Sequence, residues 1–264
     1  MRFAQEKSIT GNVQSASYNM LIPRLIHFSW FPSRTMIPPT ERKFIHSWQT
    51  MNSGFGIMIW GEDEVVQLIN RYYPEYACIW KKIKNFGKKA DFARLLIMHK
   101  YGGYYVDPDQ EPLKPLEQFI CADKIYCKGI RGHQNLQDRV TEEPIDMSMY
   151  DIIIGSDNFS ARRDHRGSIL TNCFFASIPN NNFWIEFVKD RIPHYDNTVL
   201  TSFGPWALTD YMRENPQDRF LELPSYYFNW IPDHMKCDPY PFTYSLHHSK
   251  KKWIERRMKW HNQK

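Results

Sequence analysis

The chain has 264 residues, 42% of them hydrophobic, which is enough to bury one sizeable core and favours a single domain. Its formal charge of +5 is mild and concentrated in the closing KKKWIERRMKWHNQK, so a partner of that segment would be anionic. No apolar run approaches the ~20 residues of a membrane helix, and the opening MRFAQEKSITGNVQSASYN lacks the apolar centre of a secretory signal, so the expectation excludes a membrane span or a secreted chain.

Cys78, Cys121, Cys127, Cys173 and Cys237 are odd in number and show no paired spacing typical of a zinc site. Free thiols in a reducing compartment are expected, and with them a cytoplasmic location.

In chain order, residues 1–20 are polar and expected to form a loose arm, residues 21–249 the domain, and residues 250–264 a basic amphipathic tail. LIPRLIHFSWF, residues 21–31, reads as a first buried strand. TERKFIHSWQTMN carries Phe44, Ile45 and Trp48 at helical spacing behind Thr40 as N-cap. FGIMIW is a second strand, and EDEVVQLINRYYP a second helix that Pro74 ends. KKADFARLLIMHKYGG predicts a helix with Phe92, Leu95, Leu96 and either Met98 or His99 on one face, stopped by Gly102 and Gly103. The β, α, β, α order is that of an α/β sheet covered by helices.

A three-residue apolar strand follows, and then DPD. Asp107 and Asp109 thus stand at the C-terminal end of a strand, where open α/β sheets bind ligands. In an extended chain their side chains project to one side, with Pro108 fixing the backbone between them. Two converging carboxylates repel unless one is protonated or a cation lies between them, and Mg²⁺ or Mn²⁺ takes such oxygen ligands and shares phosphates of a nucleotide. The competing reading of an isolated D-x-D is a solvated acidic turn.

The run ADFARLLIMHKYGGYYVDPDQEPLKPL resembles the DxD sugar-binding glycosyltransferases, the α-1,6-mannosyltransferase-like and capsular polysaccharide transferases and, more distantly, the glucosylating toxins. Asp91 and Arg94 match that family's helix pair, Tyr101-Gly102-Gly103 its turn, and Asp107 and Asp109 its acids. IPRLIHFSWF resembles its opening strand, with Trp30 near the nucleotide base. NCFFASIPNNNFW is similar to the stretch that places Asn172 at the donor, and TSFGPWALTDYM to a helix start with Phe203 where the family has threonine. YSLHHSKKKW resembles the closing segment whose histidine completes the metal shell; His247 aligns best, with His248 as rival.

The resemblance implies a single-domain GT-A type nucleotide-diphospho-sugar transferase fold, a Rossmann-like mixed sheet flanked by helices. It implies a retaining, metal-dependent hexosyltransferase using Mn²⁺ or Mg²⁺, with a nucleotide-diphosphate sugar as donor (UDP-sugar ahead of GDP-sugar). The acceptor would be a hydroxyl of a glycan, glycolipid or lipid-linked sugar, in surface polysaccharide or glycan synthesis. Asp91, Arg94, Asp107 and Asp109 would be catalytic; Trp30, Asp91, Arg94, Tyr101, Asp107 and Asn172 would bind the donor; Asp107, Asp109 and His247 would hold the metal.

Other readings of the same residues stay open. Trp30 also suits a plain core position, Asp91 and Arg94 a local helix ion pair, and the histidines a solvated pair. The aromatic stretch PSYYFNWIPDHMKCDPYPFTYS suits either sugar faces or loop-rich core. The tail suits an anionic membrane surface, on the inner face of a membrane, or a solvated basic end; no nucleic-acid recognition pattern accompanies it. A metal-dependent phosphoester hydrolase would use the same acids, and a non-catalytic nucleotide- or carbohydrate-binding module would keep Trp30 and the aromatics.

Overall fold

The computed structural model describes residues 22–128, 140–157, 168–194, 199–231 and 238–249, so the expected arm and tail lie outside the described residues. β1 (Leu25–Ser29) forms inside the first apolar run, and Ile26 through Ser29 are all buried, as in strands covered on both faces. α1 (Pro39–Met51) starts one residue before the expected cap. Pro39 occupies its first turn, where a missing N–H costs nothing, and Thr40 lies inside the helix. β2 (Gly56–Trp60) leads into α2 (Glu62–Tyr72), whose first turn holds Glu62, Asp63 and Glu64 against the positive helix end; Glu64 Oε2 also accepts from the Gly61 N–H at 2.9 Å. A short α3 (Ala77–Lys82) follows.

α4 (Phe86–Tyr101) is capped by Asn85, whose side chain accepts from Lys88 N–H. A single buried face was expected, but every residue from Asp91 to Met98 is buried. The helix lies between the sheet and α6 (Asn182–Arg191), so no side of its middle meets solvent. Gly102 ends it at φ 61°. A Cβ there would lie 2.5 Å from Pro179 N and 2.7 Å from Ser177 O, so only glycine fits.

The chain continues as β3 (Gly103–Val106), β4 (Gln110–Pro112), α5 (Leu116–Ile120), β5 (Lys124–Lys128), β6 (Val140–Pro144), β7 (Ile152–Asp157) and β8 (Ile169–Ser177). After α6 come α7 (Val199–Ser202), α8 (Pro205–Glu214), β9 (Phe220–Leu223) and β10 (Ser245–His247). Six strands form one sheet in the order β2-β1-β3-β8-β7-β9. β2 and β3 run parallel to β1, β8 runs antiparallel to β3 and β7, and β9 is parallel to β7, so β8 alone is reversed. Two small antiparallel pairs, β4 with β10 and β5 with β6, stand beside it. The expected α/β architecture, a Rossmann-like mixed sheet flanked by helices, is the one observed.

The sheet separates two apolar layers. Alternation sends Tyr105 into the layer built on α2, α4, α6 and α8, and sends Tyr104 and Val106 into the other. The second layer takes up much of the aromatic stretch: Tyr226, Tyr227, Phe228 and Trp230 are buried, and Phe228 stacks on Phe174 with centroids 3.5 Å apart. These rings are core. Phe203, at the family's threonine position, is likewise core, packed edge-on against Phe92. From β1 the sheet grows to β2 on one side and β3 on the other. The C-terminal ends of β1 and β3 therefore border the crevice where such sheets bind ligands.

Candidate metal centre

Asp107 follows β3 directly, and its N–H donates to Cys173 O at 2.8 Å, the last backbone bond between β3 and β8. The extended DPD expected from the sequence is in fact a turn. Gln110 N–H donates to Asp107 O at 3.0 Å, with Pro108 at the second turn position, where its fixed φ is favoured. Asp107 and Asp109 converge because the chain folds over between them. Gln110 is fully buried and pins the far side of the turn: its Nε2 donates to Cys173 O, its Oε1 accepts from Ser245 Oγ at 2.5 Å, and its carbonyl accepts from Trp48 Nε1 at 2.9 Å.

The pairing of β10 with β4 sets His247 opposite Gln110. Its Nε2 stands 3.5 Å from Asp109 Oδ1, and one ligand atom each from Asp107, Asp109 and His247 lies within 4.8 Å of the others. His248 is not part of this group. It follows the strand on the opposite side, stacks on Phe44 and shares a 2.9 Å hydrogen bond with Glu111.

Arg94 lies behind the acids. Its Nη2 is 3.3 Å from both Asp91 Oδ1 and Asp107 Oδ1, its Nη1 donates to Asn172 O, and its guanidinium lies 4.5 Å over the Tyr105 ring. Asn172 Nδ2 donates to Asp91 Oδ1 at 2.7 Å. Asp91 and Arg94 therefore do more than pair on their own helix: they tie α4 to the end of β3 and to β8.

Burial pushes the Asp91 carboxyl up to about 6, against Arg94 and Asn172, which lower it, while Asp107 raises it further. Asp107 is also raised, first by burial, with Arg94 opposing and Asp109 adding to the rise. Burial works to lower His247, yet the Cys173 sulfur and the Asp109 carboxylate hold it well above the usual imidazole value. With Asp91, Asp107 and Asp109 ionised, three carboxylates share the site with the Arg94 guanidinium and the His247 imidazolium, and a divalent cation that displaces the His247 proton meets two net negative charges. Two carboxylates and one imidazole suit Mn²⁺, and the oxygens suit Mg²⁺ as well.

Trp30 follows β1 at the same C-terminal end of the parallel strands, half-buried against the second apolar layer, with its backbone N–H donating to Trp60 O. Tyr101 is elsewhere. α4 runs back against β3, so its last residue sits at the strand's N-terminal end, where the ring packs on Trp60 and His27. The length of β3 separates it from Asp107. Two residues of the site were missed by sequence reasoning. Tyr105 was legible, since it shares strand parity with Asp107; Asn229, which contacts His247 Nδ1 at 2.7 Å, carried no local signal.

Among known proteins, the chain is 35% identical over 101 residues to a glycosyltransferase, L373, of Acanthamoeba polyphaga mimivirus, covering 38% of this chain and 40% of the relative. It is 27% identical over 102 residues to inositol phosphoceramide mannosyltransferase 1 of Schizosaccharomyces pombe, covering 38% and 31%. It is 29% identical over 76 residues to HOC1 of Saccharomyces cerevisiae, covering 28% and 19%. The matches thus span less than half the length of these relatives. Among solved structures, the PaToxG glycosyltransferase is similar with a TM-score of 0.49 and 14% identity, over 74% of this chain and 70% of that one. A glycosyltransferase involved in glycosylation of the major capsid of PBCV-1 is similar with a TM-score of 0.44 and 11% identity, over 89% and 97%. Residues 38–126, which run from α1 through Asp107 and Asp109 to β5, match the family described as the glycosyltransferase sugar-binding region containing a DXD motif.

Proposed function

We propose that this chain is a metal-dependent, retaining glycosyltransferase that moves a hexose from a nucleotide-diphosphate sugar to a hydroxyl of a glycan or glycolipid acceptor. The observation that carries this reading is the meeting of Asp107, Asp109 and His247 at the C-terminal end of β3, backed by Arg94. Asp107, Asp109 and His247 would hold Mn²⁺ or Mg²⁺. The ion would supply charge neutralisation for the departing diphosphate.

The chain's own residues do the rest. Trp30 offers an indole at the crevice edge for stacking on the base, an interaction worth roughly 1–3 kcal/mol. Arg94 keeps Asp107 oriented toward the cluster and holds Asp91 beside the crevice. Asp91 shares its Oδ1 with Asn172 and Arg94, which suits a group that orients the sugar and steadies its developing positive charge, not a free nucleophile. The acceptor hydroxyl then attacks on the face from which the diphosphate leaves: the C1–O bond to the phosphate breaks, the bond to the acceptor oxygen forms, and the acceptor proton passes to the leaving diphosphate. UDP-sugars come first. The fission-yeast relative's name makes mannose, carried by GDP, the second reading of the donor.

The test is product analysis. Purified protein is incubated with UDP- and GDP-hexoses, a panel of glycan and glycolipid acceptors, and Mn²⁺ or EDTA, and the product anomer is read by NMR. A metal-dependent glycoside with the donor's anomeric configuration supports the reading. Free sugar alone supports a hydrolase, an inverted product refutes retention, and binding without turnover favours a binding module.

A further inference from the structure

Asn229 lies between β9 and β10 and is 3% exposed. Its Oδ1 is 2.7 Å from His247 Nδ1 and 3.5 Å from Cys173 Sγ, which donates to it. The backbone around it is fixed. Asn229 N–H donates to Ser225 O at 2.8 Å, and the carbonyl of Trp230 accepts from His247 N–H at 2.7 Å. Cys173 in turn presents its carbonyl to Asp107 N–H and Gln110 Nε2. Amide, imidazole, thiol and acidic turn thus form one packed unit.

An imidazole binds a cation through Nε2 only when that nitrogen carries a lone pair, and the ring proton must then reside on Nδ1 and find an acceptor. Asn229 Oδ1 stands where that acceptor is needed, on the side of the ring away from Asp109. An amide does this without adding a charge, so the two net negative charges of the acidic group are left unchanged. We propose that Asn229 is a positioning residue that holds His247 in its Nδ1–H form, aims Nε2 at Asp109, and thereby sets the affinity of the cluster for a divalent cation. The inference rests on reading Asp107, Asp109 and His247 as a metal centre.

The test is Mn²⁺ binding without donor or turnover, with free Mn²⁺ read by electron paramagnetic resonance. The proteins are wild type, Asn229→Leu, Asn229→Asp, His247→Ala and the Asn229→Leu/His247→Ala double variant. Asn229→Leu weakens Mn²⁺ binding by about 10- to 100-fold. Asn229→Asp keeps an oxygen acceptor and binds as tightly as wild type or more so. Once His247 is gone, adding Asn229→Leu changes nothing further. The inference is overturned if Asn229→Leu binds like wild type, or if it weakens binding by the same factor with and without His247. Should the leucine variant fail to fold, Asn229→Asp decides: binding ten-fold weaker than wild type overturns the role. Wild type that binds no Mn²⁺ overturns the metal centre itself and this inference with it, whereas Mn²⁺ binding that needs Asp109 but ignores Asn229 overturns the inference alone.

Discussion

Arg94 and Asp107 meet at 3.3 Å although they come from different elements, and the same guanidinium nitrogen is 3.3 Å from Asp91. Both side chains of the Arg94–Asp91 pair are almost fully buried, at 5% and 7% exposure. Removing one partner of such a group leaves uncompensated buried charge. Arg94→Met is expected to cost about 3–5 kcal/mol in urea unfolding. Arg94→Lys recovers only part of this, since an ammonium cannot span Asp91, Asp107 and the Asn172 carbonyl as a planar fork does. Equal stability of wild type and Arg94→Met would show the network to be incidental.

Asp109→Ala removes one oxygen ligand while leaving the turn bond from Gln110 to Asp107 in place. Transfer activity is expected to fall on the order of 100-fold or more, the scale of losing several kcal/mol of transition-state charge stabilisation. The melting temperature without ligand should stay near wild type, because Asp109 is half-buried and its backbone bond from His248 N–H survives the substitution. Measuring both together separates a site defect from a folding defect.

His27 gives a pH prediction. The ring is fully buried, with Nδ1 accepting from Trp60 Nε1 at 3.2 Å and Nε2 donating to Gly102 O at 2.9 Å, so both nitrogens are satisfied only when the ring is neutral. Burial pushes its pKa down to about 4, with the Gly102 bond opposing. A folded-state pKa below the unfolded value of about 6.5 means that this stabilisation is complete above that pH. It is lost as pH falls toward 4, up to about 3 kcal/mol in all. Asp91, raised to about 6, works in the opposite sense over the same range, so the His27→Gln variant is the proper reference. The difference between wild type and His27→Gln in unfolding free energy should shrink from pH 7 to pH 4; a constant difference would contradict the buried neutral ring.

Gly102→Ala tests the turn between α4 and β3. The added methyl meets backbone atoms of Ser177 and Pro179 below 2.8 Å at a positive φ. The cost is expected to exceed about 2 kcal/mol by thermal or urea unfolding, whereas an unchanged midpoint would mean that the segment after β8 moves aside freely.

Local patterns carried much of this structure. Apolar runs and helix spacing placed β1, α1, β2, α2 and α4, and Gly102 marked the end of α4, since all of these depend on residues near one another in the chain. The position of Asp107 after a strand was legible in the same local way, whereas the choice of His247 came through family resemblance. What local pattern could not supply was three-dimensional. The DPD turn depends on Gln110 being held by Ser245 and Trp48, which are far away in sequence. Tyr101 lies in the same motif as Asp107, but the reversal at Gly102 puts it at the other end of β3. His247 and His248 are neighbours whose opposite facing is decided by the β4–β10 pairing. Asn229 is 18 positions from His247, and only the folded aromatic segment brings them together.

The most direct measurement is a thermal-shift panel of UDP- and GDP-sugars, each with Mn²⁺, Mg²⁺ or EDTA, on wild type and Asp109→Ala. A ligand that binds only the folded state raises the melting temperature by mass action. The account predicts that at least one nucleotide sugar stabilises wild type with metal, loses that effect in EDTA, and leaves Asp109→Ala unmoved. Stabilisation that persists in EDTA and in Asp109→Ala, or no stabilisation by any nucleotide sugar, would contradict it.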